Sequence, residues 1–139
     1  MAHSLTRFGV KVEFADFTNL DEVKAAAAKY EHVDIFYTES IQNPTNDVVD
    51  LEVIAKIAHE KGARFIVDNT FASPIGCNPL KWGADIVLHS ATKYLIAGVF
   101  TAGCVMGKKA DIDQIRMVGV KDCTGARSEE HTSELQSQR

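Results

Sequence analysis

Short β-type apolar runs alternate with helix-patterned stretches along this chain, and no other feature restricts its fold as much. Val33-Asp34-Ile35-Phe36-Tyr37-Thr38, residues 64–67 and residues 85–89 each read as a strand. Between the first two, Leu51, Ile54, Ala55 and Ala58 recur at the spacing of one buried helical face. Gly62 follows Lys61 and stops that helix, because glycine takes the left-handed conformation cheaply at a C-terminus. Asn19 caps an earlier helix from near Leu20, with Asp21 and Glu22 in its first turn and Val23, Ala27 and Tyr30 on one face. Val10-Lys11-Val12-Glu13-Phe14 alternates with period two and reads as a further strand. A helical turn near Leu80-Lys81-Trp82 and a helix over 111–117 complete the pattern. The fold class is therefore α/β, a mostly parallel sheet with helices on both faces. Residues 94–101 are too few for a crossover, so the strand near Cys104 runs antiparallel to the one ending at His89.

The 139 residues suffice for one modest domain. A net charge of -4 without any Lys/Arg run argues against nucleic acid as partner. The longest apolar stretches are too short to span a bilayer, and Met1-Ala2-His3-Ser4 lacks the pattern of a secretory leader. Cys77, Cys104 and Cys123 are odd in number and widely spaced, which suggests neither a disulfide framework nor a metal site and favours a reducing cytoplasm. Residues 127–139 are polar, carry Leu135 as their one large apolar group, and resemble an in-frame translation of a sequencing adapter. They are set apart as a non-native tail, leaving 1–126 for the fold.

Ligands of parallel sheets gather at the carboxyl ends of the strands. Three such ends carry polar groups here: Asn43 a few residues beyond Thr38, Asp68 after Phe65-Ile66-Val67, and Ser90-Ala91-Thr92-Lys93 after Ile86-Val87-Leu88-His89. Taken singly, each is an ordinary loop residue. Together they suit an aldehyde cofactor with a phosphate and a pyridine ring. The Lys93 amine can hold the aldehyde as a Schiff base and later move a proton. The Ser90 and Thr92 hydroxyls can donate to phosphate oxygens, and the Asp68 carboxylate can keep a ring nitrogen protonated. Other nucleotide and hydrolase signatures fail. Gly98, Gly103 and Gly107 do not form the dinucleotide fingerprint, Gly103 precedes Cys104 rather than lysine, and no nucleophile elbow is present.

Val67-Asp68-Asn69-Thr70-Phe71 and His89-Ser90-Ala91-Thr92-Lys93-Tyr94 resemble the Cys/Met-metabolism family of pyridoxal-phosphate enzymes. Glu39-Ser40-Ile41-Gln42-Asn43-Pro44-Thr45 is similar to a further segment of that family, with Ile41 where proline is usual. Lys121-Asp122-Cys123-Thr124-Gly125-Ala126 resembles its methionine γ-lyase-like members. The resemblance covers about 6–126. It implies part of the large domain of a fold-type I enzyme that binds pyridoxal 5'-phosphate. It also implies a sulfur amino acid as substrate, elimination or replacement at its γ-carbon, and a homotetrameric parent with shared active sites. A methionine γ-lyase-like activity is favoured over cystathionine γ-synthase, cystathionine lyase or O-acetylhomoserine sulfhydrylase. By the same resemblance Lys93 is the Schiff-base lysine, Asp68 the partner of the ring nitrogen, Ser90 and Thr92 the phosphate ligands, and Asn43 a neighbour of the ring oxygen. Two departures stand out. Residues 96–103 lack the family's usual His and Asp and are about one residue short, and the family's flanking segments are missing at both ends. The alternative is that the chain alone is a non-catalytic, incomplete α/β module.

Overall fold

A computed structural model describes residues 5–119. It divides into two compact units, 1–106 and 107–139. The first holds α1 (Leu20–Ala28), β1 (Ile35–Glu39), α2 (Leu51–Glu60), β2 (Arg64–Asp68), a short α3 (Ser73–Gly76), a 3-10 turn (Pro79–Trp82), β3 (Ile86–Ser90) and most of β4 (Gly103–Gly107). Of the second, α4 (Lys109–Ile115) is described. Residues 121–126, and the tail set apart at 127–139, lie outside the described residues.

Local chemistry fixes the helix ends. The Asn19 side-chain oxygen accepts the N–H groups of Asp21 and Glu22, and Asp50 accepts that of Val53, so each satisfies donors that the first turn cannot pair internally. Gly62 ends α2 at φ 70°. The turn before β3 closes at Gly83 with φ 95°, where an added Cβ would lie 2.7 Å from that of Ala55.

The four strands stand in the order β1-β2-β3-β4. β1 runs parallel to β2 with Glu39 beside Asp68, and β2 parallel to β3 with Asp68 beside Leu88. β4 begins where β3 ends. The Thr92 N–H donates to the Ala102 carbonyl, and a Cβ on Gly103 would sit 3.6 Å from the His89 carbonyl oxygen. The chain thus doubles back, as the short connection requires.

Phe36, Phe65, Val67 and Val87 point to one face of the sheet and join Val23 and Ala27 of α1 and Leu51, Ile54, Ala55, Ile57 and Ala58 of α2 in one core. Phe65 and Ile54 are fully buried, each contributing roughly 1.5–3 kcal/mol of burial free energy. The opposite face carries exposed Ile35 and Tyr37 toward the β1 edge and buried Ile86 on β3. The α/β class and mostly parallel sheet match the expectation, whereas α1 and α2 both pack on this one face. The physical reason differs between the two. For α2, which joins parallel neighbours β1 and β2, a right-handed crossover sets the side; α1 precedes β1 and is placed there by Val23 and Ala27 packing into the same core.

The strand expected at Val10–Phe14 does not form. Residues 10–15 have no strand pairing, and Phe14 is 79% exposed. Alternation alone does not make a strand, which forms only where the segment pairs with a neighbour. Here Glu13 instead takes hydrogen bonds from Lys29 and Tyr30 just beyond α1.

Candidate functional site

The carboxyl ends of β1, β2 and β3 open on one cleft of about 390 Å³. Its lining includes Glu39, Asn43, Asp68, Thr70, Phe71, Ser90, Lys93 and Tyr94. The volume lies within the roughly 300–1,000 Å³ range of small-molecule sites. Four residues singled out from sequence, Asn43, Asp68, Ser90 and Lys93, therefore meet on one surface.

Each is placed by the element that carries it. Asp68 is the last residue of β2 and Ser90 the last of β3, and both lie on the face away from the core, where side chains alternate with buried Val67 and His89. Lys93 follows in a tight turn whose N–H donates to the Ser90 carbonyl at 3.2 Å. Asn43 is held by its own N–H, which donates to a Glu39 carboxylate oxygen at 2.9 Å. Thr92 is not among the cleft-lining residues. Its hydroxyl donates to the Ala102 carbonyl at 3.1 Å and accepts the Ala102 N–H at 2.8 Å, locking the start of the β3–β4 connection.

Residues without an assigned role in the sequence reading complete the rim. Thr70 donates its hydroxyl to Asp68 Oδ1 at 2.6 Å and its N–H to the same oxygen at 2.9 Å. Its Oγ1 accepts the Ser90 N–H at 2.8 Å. Asn69 is fully buried. Its Oδ1 accepts the Ser40 hydroxyl at 2.7 Å, and its amide donates to the Ser73 and Cys77 carbonyls. These bonds tie the β1 and β2 ends to the α3 turn and leave the buried amide satisfied. Phe71 and Tyr94 pack ring against ring at 5.8 Å. The available signal was a pair of amide and hydroxyl side chains directly following an aspartate at a strand end.

The site carries a negative field. Burial first, then the charges of Asp68 and Glu39, raises the Tyr37 phenol above its ordinary value. Burial lowers the His89 imidazole, an effect partly offset by Asp68, so His89 stands neutral at pH 7.

A flat, phosphate-bearing pyridine aldehyde fits this donor set on the observed geometry. One cleft offers an amine, a carboxylate held from behind by two donors, a hydroxyl-bearing strand end, and two aromatic rings. Among the described residues, no group of His, Cys, Asp and Glu could hold a metal ion, and no helix is long and apolar enough to cross a membrane.

Comparison with known proteins points the same way. The family model of the Cys/Met metabolism PLP-dependent enzymes matches residues 1–137. An L-methionine gamma-lyase of Fusobacterium nucleatum subsp. nucleatum is 53% identical over 128 residues, which are 91% of this chain and 32% of that protein. A chloroplastic cystathionine gamma-synthase of Arabidopsis thaliana is 37% identical over 117 residues, 84% of this chain and 21% of that protein. The crystal structure of a methionine gamma lyase from Micromonospora echinospora superposes with a TM-score of 0.77 at 35% identity, covering 84% of this chain and 33% of that one. The chain spans about a third of the length of the methionine gamma-lyases it matches. With its matching family model, parallel-sheet fold and strand-end cleft, the chain belongs to the Cys/Met metabolism family of pyridoxal-phosphate-dependent enzymes.

Proposed function

We propose that this chain forms part of the cofactor-binding domain of a longer enzyme, one that eliminates or replaces the γ-substituent of a sulfur amino acid. A methionine γ-lyase-like elimination is the favoured reaction, since the methionine gamma-lyases reach 53% identity and the cystathionine gamma-synthase 37%. The observation that carries the reading is the convergence of Asp68, Ser90, Lys93 and Asn43 on one cleft. Pyridoxal 5'-phosphate, when bound, supplies an electron sink that stabilises negative charge on the substrate carbon.

The side chains do the rest. Lys93 Nζ would hold the cofactor covalently in the resting enzyme. Once released, its amine would take the proton from the substrate α-carbon, hand it back to the cofactor-bound substrate, and so be free to take one from the β-carbon, while the γ-substituent departs with its bonding electron pair and leaves protonated. With water, the elimination yields a 2-oxo acid, ammonia and a thiol. Asp68 would pair with the ring nitrogen, and the two Thr70 donors hold its carboxylate in place for that contact. Ser90, at the end of β3, would hold the phosphate together with the Thr92 hydroxyl, which is bonded to Ala102 here, and Asn43 would serve the ring oxygen. A cytoplasmic setting and a homotetramer with shared active sites belong to the same proposal, as does the division into 1–126 and a non-native tail at 127–139. The described cysteines Cys77 and Cys104 are free, in keeping with a reducing compartment.

The test is absorbance of the full-length protein mixed with pyridoxal phosphate. A visible-range band is expected in the wild type and is expected to vanish in Lys93→Ala. A variant that keeps the band refutes the assignment of Lys93.

A second reading applies to the 139-residue chain by itself, as a non-catalytic module. One sheet face carries exposed Ile35 and Tyr37, and Ile75, Phe8 and Val99 are 98%, 84% and 80% exposed, an arrangement that favours association over function. Turnover of a sulfur amino acid by the purified chain would refute it.

A further inference from the structure

We infer that Thr70 is a positioning residue that couples the cofactor carboxylate on β2 to the phosphate-side turn after β3. This rests on the cofactor reading above and deepens it. One hydroxyl makes both links. The Ser90 N–H donates into Thr70 Oγ1 at 2.8 Å, which occupies a lone pair and directs the hydroxyl proton away from Ser90. That proton goes to Asp68 Oδ1 at 2.6 Å, where the Thr70 N–H also arrives at 2.9 Å. Both bonds fall on the same carboxylate oxygen, so they fix the plane of the carboxylate without drawing on Oδ2.

The local N–H bond alone is a common turn feature. The hydroxyl bridge to the next strand is not local, because Ser90 lies 20 residues further on. It makes the orientation of Asp68 and the backbone at Ser90 depend on each other. Lys93 shares the same turn, through its N–H bond to the Ser90 carbonyl. A shift at Thr70 therefore reaches both ends of the cofactor.

The test uses the full-length protein as wild type, Thr70→Val and Thr70→Ser. Valine keeps the shape of threonine and removes the hydroxyl; serine restores the hydroxyl without the methyl. Two quantities are read: the dissociation constant for pyridoxal phosphate, and amide hydrogen exchange in the cofactor-free protein across 86–95 and across the core strand 64–68. Thr70→Val is expected to weaken cofactor binding by roughly tenfold or more, the scale of a lost hydrogen bond to a charged group. It is also expected to speed exchange at Ser90 while β2 keeps its protection, and Thr70→Ser is expected to restore both. Wild-type affinity in the valine variant, or weakening that serine does not rescue, overturns the inference while leaving the cofactor reading intact. Exchange rising equally in β2 marks a general packing role and overturns it as well. A wild type that takes up no cofactor overturns the cofactor reading, and this one with it. Should valine prevent folding, Thr70→Ala against Thr70→Ser gives the same contrast.

Discussion

At the amino ends of β2 and β3, Asp85 is buried, with two donors on its Oδ2 and Arg64 3.9 Å from its Oδ1. At the carboxyl ends of the same strands, Asp68 is half-exposed in an open cleft. Asp85 accepts the Phe65 N–H and the His59 ring nitrogen, both at 2.9 Å, and donates its own N–H back to the Phe65 carbonyl. Its bonds close within the fold and join α2 to two strands. Asp68 is also held, by the two Thr70 donors on Oδ1 and by an interaction with the Tyr37 hydroxyl, but it lines the cleft. The comparison separates two uses of one residue type. A buried carboxylate whose partners all belong to the fold stabilises, whereas a half-exposed one lining a cleft stays available to a ligand.

That contrast sets what substitutions should do, beginning with the largest effect. On the rim, Lys93→Ala in the full-length enzyme is expected to reduce turnover by about 10²–10⁴-fold, with an unchanged melting midpoint in the cofactor-free protein because Lys93 is exposed; a large loss of stability there would break the division. In the core, Phe65→Ala removes a fully buried ring and should cost about 3–5 kcal/mol by denaturant unfolding.

Asp85→Ala comes next, at about 1–3 kcal/mol for the partners it leaves unpaired. It also carries a pH signature. Burial by itself would raise the Asp85 carboxyl, but the bond from Phe65 together with His59 and Arg64 outweighs it and lowers the pKa. A lowered folded pKa means that the stabilisation is fully present above the unfolded value of about 4 and is lost as pH falls through the folded one. The gap in stability between wild type and Asp85→Ala should therefore narrow below about pH 4; a gap that widens in acid contradicts the clamp. Smallest is Asn19→Ala, which removes the α1 cap for about 1 kcal/mol and should leave cofactor affinity untouched.

Much of this was legible beforehand where a local rule had no competitor. Asn19 and Asp50 cap because their side chains reach the first-turn N–H groups, and Gly62 adopts the positive φ that its position demands. The strand ends at Asp68 and Ser90 followed from apolar runs that stop in polar residues. Failures came where structure depends on distant partners. Val10–Phe14 has the right alternation but pairs with no strand among the described residues, and the face that α2 covers follows from strand order, which periodicity does not encode. Thr70 stood beside Asp68 in the sequence, but its bond to Ser90 exists only once β2 and β3 are neighbours. Thr92 carried the expected hydroxyl, and the turn at Ala102 engages it.

The most direct measurement is to load the full-length protein with pyridoxal phosphate, trap the lysine–aldehyde linkage by hydride reduction, and map the modified peptide by mass spectrometry. The cofactor mass is expected on Lys93 at near one per chain. Its appearance on another lysine, or its absence from the peptide carrying Lys93, would contradict the assembly of this site.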